Sequence, residues 1–181
     1  MSSPTAKVSV RPARPEDAER VAVVQLATWE QAYTALLPAE ALAVPLVQVA
    51  AVWLNAIEAP PSPRHRVLVA LDGGELVGFA ASTPATDEDL DAATTSELAA
   101  LLVEPRWCRR GHGSRLVAAT VDHWRGEGIA LGVHWAFQDD HVVTAFLQAA
   151  GWAFDGLGRG LDTGSRVVHQ RRLHTDLSEG T

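Results

Sequence analysis

Hydrophobic and polar positions change their spacing several times along the chain, and each change marks an element. Residues 8–13 (VSVRPA) read as a short strand. From Pro15 the acidic residues Glu16, Asp17 and Glu19 sit where a helix start favours negative charge, and Ala22, Leu26, Trp29 and Tyr33 follow as an apolar stripe at helical spacing. Pro38 ends that region. After Pro45, residues Leu46, Val49, Ala50, Trp53 and Ile57 predict a second helix with that face buried, and the APPSPR cluster at 59–64 is a loop.

Residues 66–83 (RVLVALDGGELVGFAAST) form two β-rich runs joined by Asp72-Gly73-Gly74, the chemistry of a tight hairpin. The polar stretch Pro84 to Ser96 reads as a loop, and 97–105 (ELAALLVEP) as a third long strand ending at Pro105. Leu116, Val117, Thr120, Val121 and Trp124 restore the helical interval until RGEG at 125–128 breaks it. IALGVHWAF is then a strand, and Val142, Ala145, Phe146 and Ala149 mark a helix closed by Gly151. GWAFDG and SRVVHQRRL supply two final strands. The predicted order is β-α-α-β-β-β-α-β-α-β-β, without repeats or a long linker, so residues 1–181 are expected to form one domain with short tails at about 1–6 and 175–181.

Composition narrows the function classes. The chain of 181 residues is 47% hydrophobic and 20% charged, which fits one globular core. Asp and Glu outnumber Lys and Arg by 22 to 15, the wrong balance for a polyanion partner, so no nucleic acid is expected. The most apolar stretch, 41–57, is short for a span and contains Pro45, Gln48 and Asn55, so no membrane partner is expected either. Lone Cys108 cannot close an internal disulfide, and charges interrupt the first thirty residues, which point to the cytoplasm.

The stretch VEPRWCRRGHGSRL, 103–116, takes an apolar strand through Pro105 and a glycine-containing turn directly into a helix. Such a turn gathers free backbone N–H groups at the positive end of a helix dipole, with Arg109, Arg110 and Arg115 in reach of an anion. An ordinary exposed turn has the same ingredients, and these residues alone leave both readings open. No Gly-Lys-Ser/Thr follows, which excludes a Walker A loop, and Leu116 stands where a dinucleotide fingerprint needs its third glycine.

In this turn and around it the sequence resembles the GCN5-related N-acetyltransferase (GNAT) family, whose loop is Gln/Arg-x-x-Gly-x-Gly/Ala. Gly111 and Gly113 match it, Cys108 takes the Gln/Arg position, and Arg109 stands where glycine is common. VRPARPEDAERVAVVQLATWEQAYTALLP is similar to the family's first strand and helix. DDHVVTAFLQAAGW is similar to its Asn-x-x-Ala-x-x-Phe-Tyr-x-x-x-Gly-Phe, with Asp140 for Asn, Phe146 and Gly151 matching, and Leu147 for Tyr.

The resemblance implies an α/β (α+β) GNAT fold: a mixed, mostly antiparallel sheet of about seven strands flanked by about four helices. It implies acetyl-CoA as co-substrate, with the pyrophosphate on Cys108, Arg109, Arg110, Gly111, His112, Gly113 and Ser114, and the pantetheine arm along the main chain of Leu102 and Val103. Asp140 and Phe146 are implied cofactor-side residues. The family and the apolar C-terminal strands together suggest a homodimer.

N-acetyl transfer needs a proton acceptor for the amine, and Glu97, at the start of the strand before the turn, is where family members often carry that carboxylate. A backbone N–H of Leu102 or Val103 would polarise the thioester carbonyl. Tyr33 is the second catalytic candidate, because Leu147 has no proton for the leaving thiolate; water, Asp140 and His141 are the other sources. No metal is expected: His112 and His123 on one helix would lie about 16 Å apart. Nothing beside Cys108 identifies a base, so it reads as inert. The acidic loop at 86–91 is either a solvated surface or, through Asp87, Glu88 and Asp89, an attractor for a cationic amine. An acyl-CoA-dependent N-acetyltransferase acting on a small molecule or peptide is the leading function, and a non-catalytic acyl-CoA-binding domain of the same fold is the alternative.

Overall fold

The computed structural model describes residues 8–178. Its elements are β1 (Val8–Pro12), α1 (Ala18–Tyr33), α2 (Ala39–Leu42), α3 (Leu46–Glu58), β2 (Arg66–Asp72), β3 (Glu75–Pro84), β4 (Thr95–Val103), α4 (His112–Gly126), β5 (Leu131–Phe137), α5 (His141–Ala149), β6 (Ala153–Asp162) and β7 (Val167–Asp176). The tail expected at 1–6 lies outside the described residues. Of the one expected at 175–181, Thr175 and Asp176 belong to β7, Leu177 is buried, and 179–181 lie outside the described residues.

The strands form one sheet in the order β1-β2-β3-β4-β5-β7-β6. Every neighbouring pair is antiparallel except β4 and β5. Asp72-Gly73-Gly74-Glu75 is the predicted hairpin turn, with positive φ at both glycines (60° and 91°). Apolar side chains fill both faces of the sheet. On one, Leu98, Leu116, Trp124, Leu147, Trp152 and Leu173 share a cluster with α4 and α5. On the other, Val21 and Val24 of α1 meet Val69, Phe79 and Leu102, and Trp53 of α3 packs edge-on against Phe79. Leu46, expected on the buried face of α3, is 37% exposed because that helix turns only Val49 fully inward.

Asp17 fastens β1 to the start of α1. Its carboxylate accepts from both Nη atoms of Arg11 (2.6 and 2.9 Å) and from the Arg14 N–H (2.7 Å). Burial works against that charge, but the hydrogen bonds outweigh it and hold the Asp17 carboxyl below its ordinary range.

Strand β4 is irregular in two ways. First, Ala81 pairs with Ala100 but Ser82 pairs with Leu98, so Ala99 bulges out of the ladder. The bulge resets the side-chain alternation: Leu98, Leu101 and Val103 join the α4 cluster, whereas Ala100 and Leu102 join the α1 cluster. Glu97, adjacent to Leu98 and before the bulge, therefore faces the α1 side. Second, β4 and β5 pair through only three rungs, Thr95–Leu131, Ser96–Gly132 and Glu97–Val133. Beyond them the two strands no longer pair, and the sheet is open between Leu98–Val103 and His134–Phe137.

Candidate active site

His134 stands at the vertex of this opening, where its Nδ1 meets the Leu98 carbonyl oxygen at 2.6 Å. Burial pushes the imidazole below its ordinary pKa, so it is neutral at pH 7 and donates its Nδ1 proton to that carbonyl. Leu102 and Val103 lie further along β4, opposite Phe79 and Gly78 of β3. Neighbouring residues of an antiparallel ladder alternate between bonding their partner strand and facing away. One of the two thus presents its N–H and C=O to the opening.

The chain leaves β4 through a single 3-10 turn, Pro105–Trp107, and enters α4. Arg109 (φ 62°) and Gly111 (φ 81°) both adopt left-handed backbone, so this turn bends twice to form a concave run of main-chain amides. Arg109 holds at the position where glycine is common a conformation that glycine adopts without strain. The first intrahelical bond, from Arg115 N–H to the Gly111 carbonyl, leaves the N–H groups of His112, Gly113 and Ser114 without helical partners. Two guanidinium groups are fixed beside this turn. Arg110 lies 4.8 Å over the Trp107 ring, and Arg115 Nη1 reaches the Arg110 carbonyl at 3.3 Å. A Cβ on Gly111 would lie 2.7 Å from Arg115 Nη1, and one on Gly113 would lie 3.4 Å from the Phe146 ring. Phe146 therefore closes this turn from the α5 side.

His112 departs from what its place in the turn suggests. Its side chain is buried, with Nε2 3.4 Å from Asp72 Oδ2 and the ring edge-on to Trp107. Only its main chain faces the concavity. The Cys108 sulfur lies 3.6 and 3.7 Å from the Val103 and Glu104 carbonyls, and burial pushes its thiol up, which keeps it protonated.

On the α1 side of the sheet, Glu97 lies next to Val133, and the same face of β5 presents Trp135 and Phe137. Burial pushes the Glu97 carboxyl up; Arg159 opposes that rise and Asp87 adds to it. Tyr33, at the end of α1, packs edge-on against Phe137 at 5.1 Å. Its hydroxyl donates to Asp140 Oδ2 at 3.0 Å, while Asp140 Oδ1 caps α5 by accepting from the Val143 N–H. Burial first, and the Asp140 charge second, push the Tyr33 phenol well above its ordinary range.

The acidic loop is more structural than solvated. Arg172 of β7, with its side chain 4% exposed, binds Asp89 through Nη1 (2.9 Å), Asp155 through Nε (2.6 Å) and Asp87 at 3.5 Å. Asp87 also accepts from the Trp135 indole N–H at 3.1 Å. Sequence reasoning did not single out Trp135, Arg159, Gln170 or Arg172. The sequence offered little signal there, because His169, Gln170, Arg171 and Arg172 form an unbroken polar run in which no alternation marks Gln170 and Arg172 as the inward pair.

Leu147, in the position where the family has tyrosine, is fully buried in the α4 cluster. Leu147→Tyr is expected to overpack it and lower unfolding stability by about 1–3 kcal/mol, measured by urea denaturation. A variant as stable as wild type would show that this position opens readily toward solvent.

Among the described residues, no three His, Cys, Asp or Glu side chains are arranged to hold a metal ion, and no helix is long and apolar enough to cross a membrane.

A sheet opened between two parallel strands, with an amide-lined turn at the end of one of them, defines an acetyltransferase-type fold. The model of the Acetyltransferase (GNAT) family matches residues 26–152, and the chain belongs to that family. Solved structures agree across nearly the whole chain. PaiA N-acetyltransferase from Thermoplasma acidophilum, crystallised in complex with coenzyme A, superposes with a TM-score of 0.72 at 16% identity, covering 93% of this chain and 98% of that one. YncA, a putative acetyltransferase from Salmonella typhimurium solved with acetyl-CoA, gives 0.70 at 18% identity, with 97% and 96% covered. A putative phosphinothricin N-acetyltransferase gives 0.74 at 16% identity, with 95% and 99% covered. No protein of curated function matches the chain.

Proposed function

We propose that the protein transfers an acetyl group from acetyl-CoA to the amine of a small molecule or peptide, by direct attack within a ternary complex. The observation that carries this reading is the placement of Glu97: a half-buried carboxylate on the α1 face, at the rung where β4 and β5 part. Acetyl-CoA supplies an activated thioester. The residues fit it. The concave amides of 108–114, with Arg109, Arg110 and Arg115, suit a pyrophosphate, and the unpaired edge at Leu102 and Val103 suits the amides of a pantetheine arm. Phe146 and Asp140 border the same opening.

Glu97 takes one proton from the acceptor ammonium, the freed nitrogen lone pair forms the C–N bond, the nitrogen then gives up its second proton to water, and the C–S bond breaks with its electrons going to sulfur. The open-edge N–H of Leu102 or Val103 stabilises the negative charge on the carbonyl oxygen. Proton transfer from Tyr33, raised above its ordinary value of about 10, to a thiolate of ordinary pKa about 8.5 is uphill. We therefore assign Tyr33 to closing the pocket beside Asp140; the thiolate leaves unassisted and takes its proton from the buffered bulk solvent after release. The lone cysteine supports a cytoplasmic setting, and exposed Leu157, Leu161 and Val167 on the β6–β7 edge support a homodimer.

Thiol release from acetyl-CoA across a panel of amines tests the reading. CoA binding without thiol release from any amine would overturn it in favour of a non-catalytic acyl-CoA-binding domain. The cradle is tested separately. Gly111→Asp places a carboxylate among the amides, in a backbone region that Asp tolerates, and CoA affinity should fall at least tenfold, about 1.4 kcal/mol, by calorimetric titration. Unchanged affinity would remove residues 108–114 from the CoA site.

A further inference from the structure

Arg159 and Arg172 lie on the same face of the sheet, both against Trp135, and are used differently. Arg172 is saturated by Asp89, Asp155 and Asp87. Arg159 is not: its Nε donates to Gln170 Oε1 at 2.7 Å, its guanidinium lies 4.3 Å over the Trp135 ring, and its two Nη atoms have no partner among the described residues. Gln170 and Trp135 are 7% and 8% exposed, so packed side chains hold one edge and one face of the guanidinium, while Arg159 itself is exposed on the edge strand. A planar group held by a ring and by one edge leaves its other edge for a bidentate oxyanion.

The ladder places Arg159 on the sheet face that carries Glu97. Arg159 pairs with Gln170, Gln170 with Phe137, and Arg172 with Trp135, while Glu97 lies beside Val133 two residues before Trp135. One face therefore carries, in order, a proton acceptor, an aromatic floor and an unpaired guanidinium. The β6–β7 hairpin closes toward α1 above them, where Arg166 Nη2 donates to the Ala35 carbonyl at 3.2 Å. An acceptor with only an amine would leave Arg159 unanswered, whereas a zwitterion answers both ends.

We propose that Arg159 anchors the carboxylate of the acceptor, and that the acceptor is accordingly an amino acid whose ammonium lies toward Glu97. This rests on the acetyltransferase reading above. The test uses matched probes, the α-amino acids and their C-terminal amides, with the full-length protein. Amino acids should exceed their amides at least tenfold in kcat/KM for thiol release. Arg159→Gln should bring that ratio close to one, and Arg159→Lys should keep part of it. Loss of the Arg159 charge also alters Glu97, but that change is common to acid and amide and leaves the ratio untouched.

A wild-type ratio near one, or a ratio unchanged in Arg159→Gln, overturns the anchor. Calorimetric binding of the same probes in the presence of CoA separates the two proposals. Should no amine release thiol, the acetyltransferase reading fails. Tenfold tighter binding of acid than amide, lost in Arg159→Gln, would then still support the anchor, and equal binding would overturn it.

Discussion

Glu97→Gln is expected to lower kcat/KM by about 10² to 10⁴ while leaving CoA affinity within a few-fold. An alkylamine with a pKa of about 10.4 is almost wholly protonated at neutral pH and attacks nothing until that proton leaves. Gln keeps the shape of Glu97 and removes the acceptor. The deficit should shrink as pH rises, because solvent then supplies the free amine. Stability should move the other way. Burial raises the Glu97 carboxyl, so the group favours folding while protonated and loses that contribution as pH rises through its folded-state value. Gln escapes this loss, so the variant should gain on wild type in stability as pH rises above the ordinary glutamate value of about 4.3. Rates from pH 6 to 10, with urea denaturation at pH 4 and pH 7, test both halves. A variant as fast as wild type at pH 7 removes Glu97 from the mechanism.

The second large effect concerns Arg172→Met. Removing the guanidinium leaves Asp87, Asp89 and Asp155 facing one another without a cation. Breaking a fully buried ion pair costs about 3–5 kcal/mol; because the Asp87 and Asp155 side chains keep 18% and 20% exposure, about 2–3 kcal/mol is expected at pH 7. The pH dependence comes through Asp89. Arg172 holds that carboxyl below its ordinary value, so its contribution is present above the unfolded pKa of about 3.9 and is lost as pH falls through the folded one. The gap between variant and wild type should therefore narrow below about pH 4. Urea denaturation at pH 7 and pH 3 measures it, and a loss under about 0.5 kcal/mol at pH 7 would show that Arg172 is only a surface partner.

Local chemistry was readable in the sequence wherever neighbours along the chain decide it. Gly73 and Gly74 announced their hairpin, and Gly111 and Gly113 announced the turn into α4, because backbone conformation there is a property of the residue itself. Long-range pairing was not. Arg172 and Asp89 are 83 residues apart, and His112 turns inward to Asp72 across about 40 residues of chain. GWAFDG read as a strand that stops at Gly156, yet β6 continues to Asp162 because β7 supplies its ladder. The bulge at Ala99 left no trace either, since ELAALLV is apolar on both sides of it and contains no glycine. Glu97 could be nominated from the resemblance, but its Arg159 neighbour could not: an arginine among glycines on an edge strand looks like ordinary surface until Trp135 and Gln170 are seen to hold it.

Ala99 works in β4 as a frameshift works in a reading frame. Upstream of it the strand is read in a phase that turns Glu97 to the α1 face; downstream the phase is reversed, and Leu102 packs under α1 while Val103 turns to α4. The residue itself is exposed, so its identity is nearly free. Deleting that one alanine would close the ladder without moving any neighbour to the other face: Leu98 and Ala100 would become consecutive, still on the α4 and α1 sides, and Glu97 and Val103 would keep theirs. What the extra residue supplies is local, a bend and a stronger twist in β4 just past the rungs that hold it to β5.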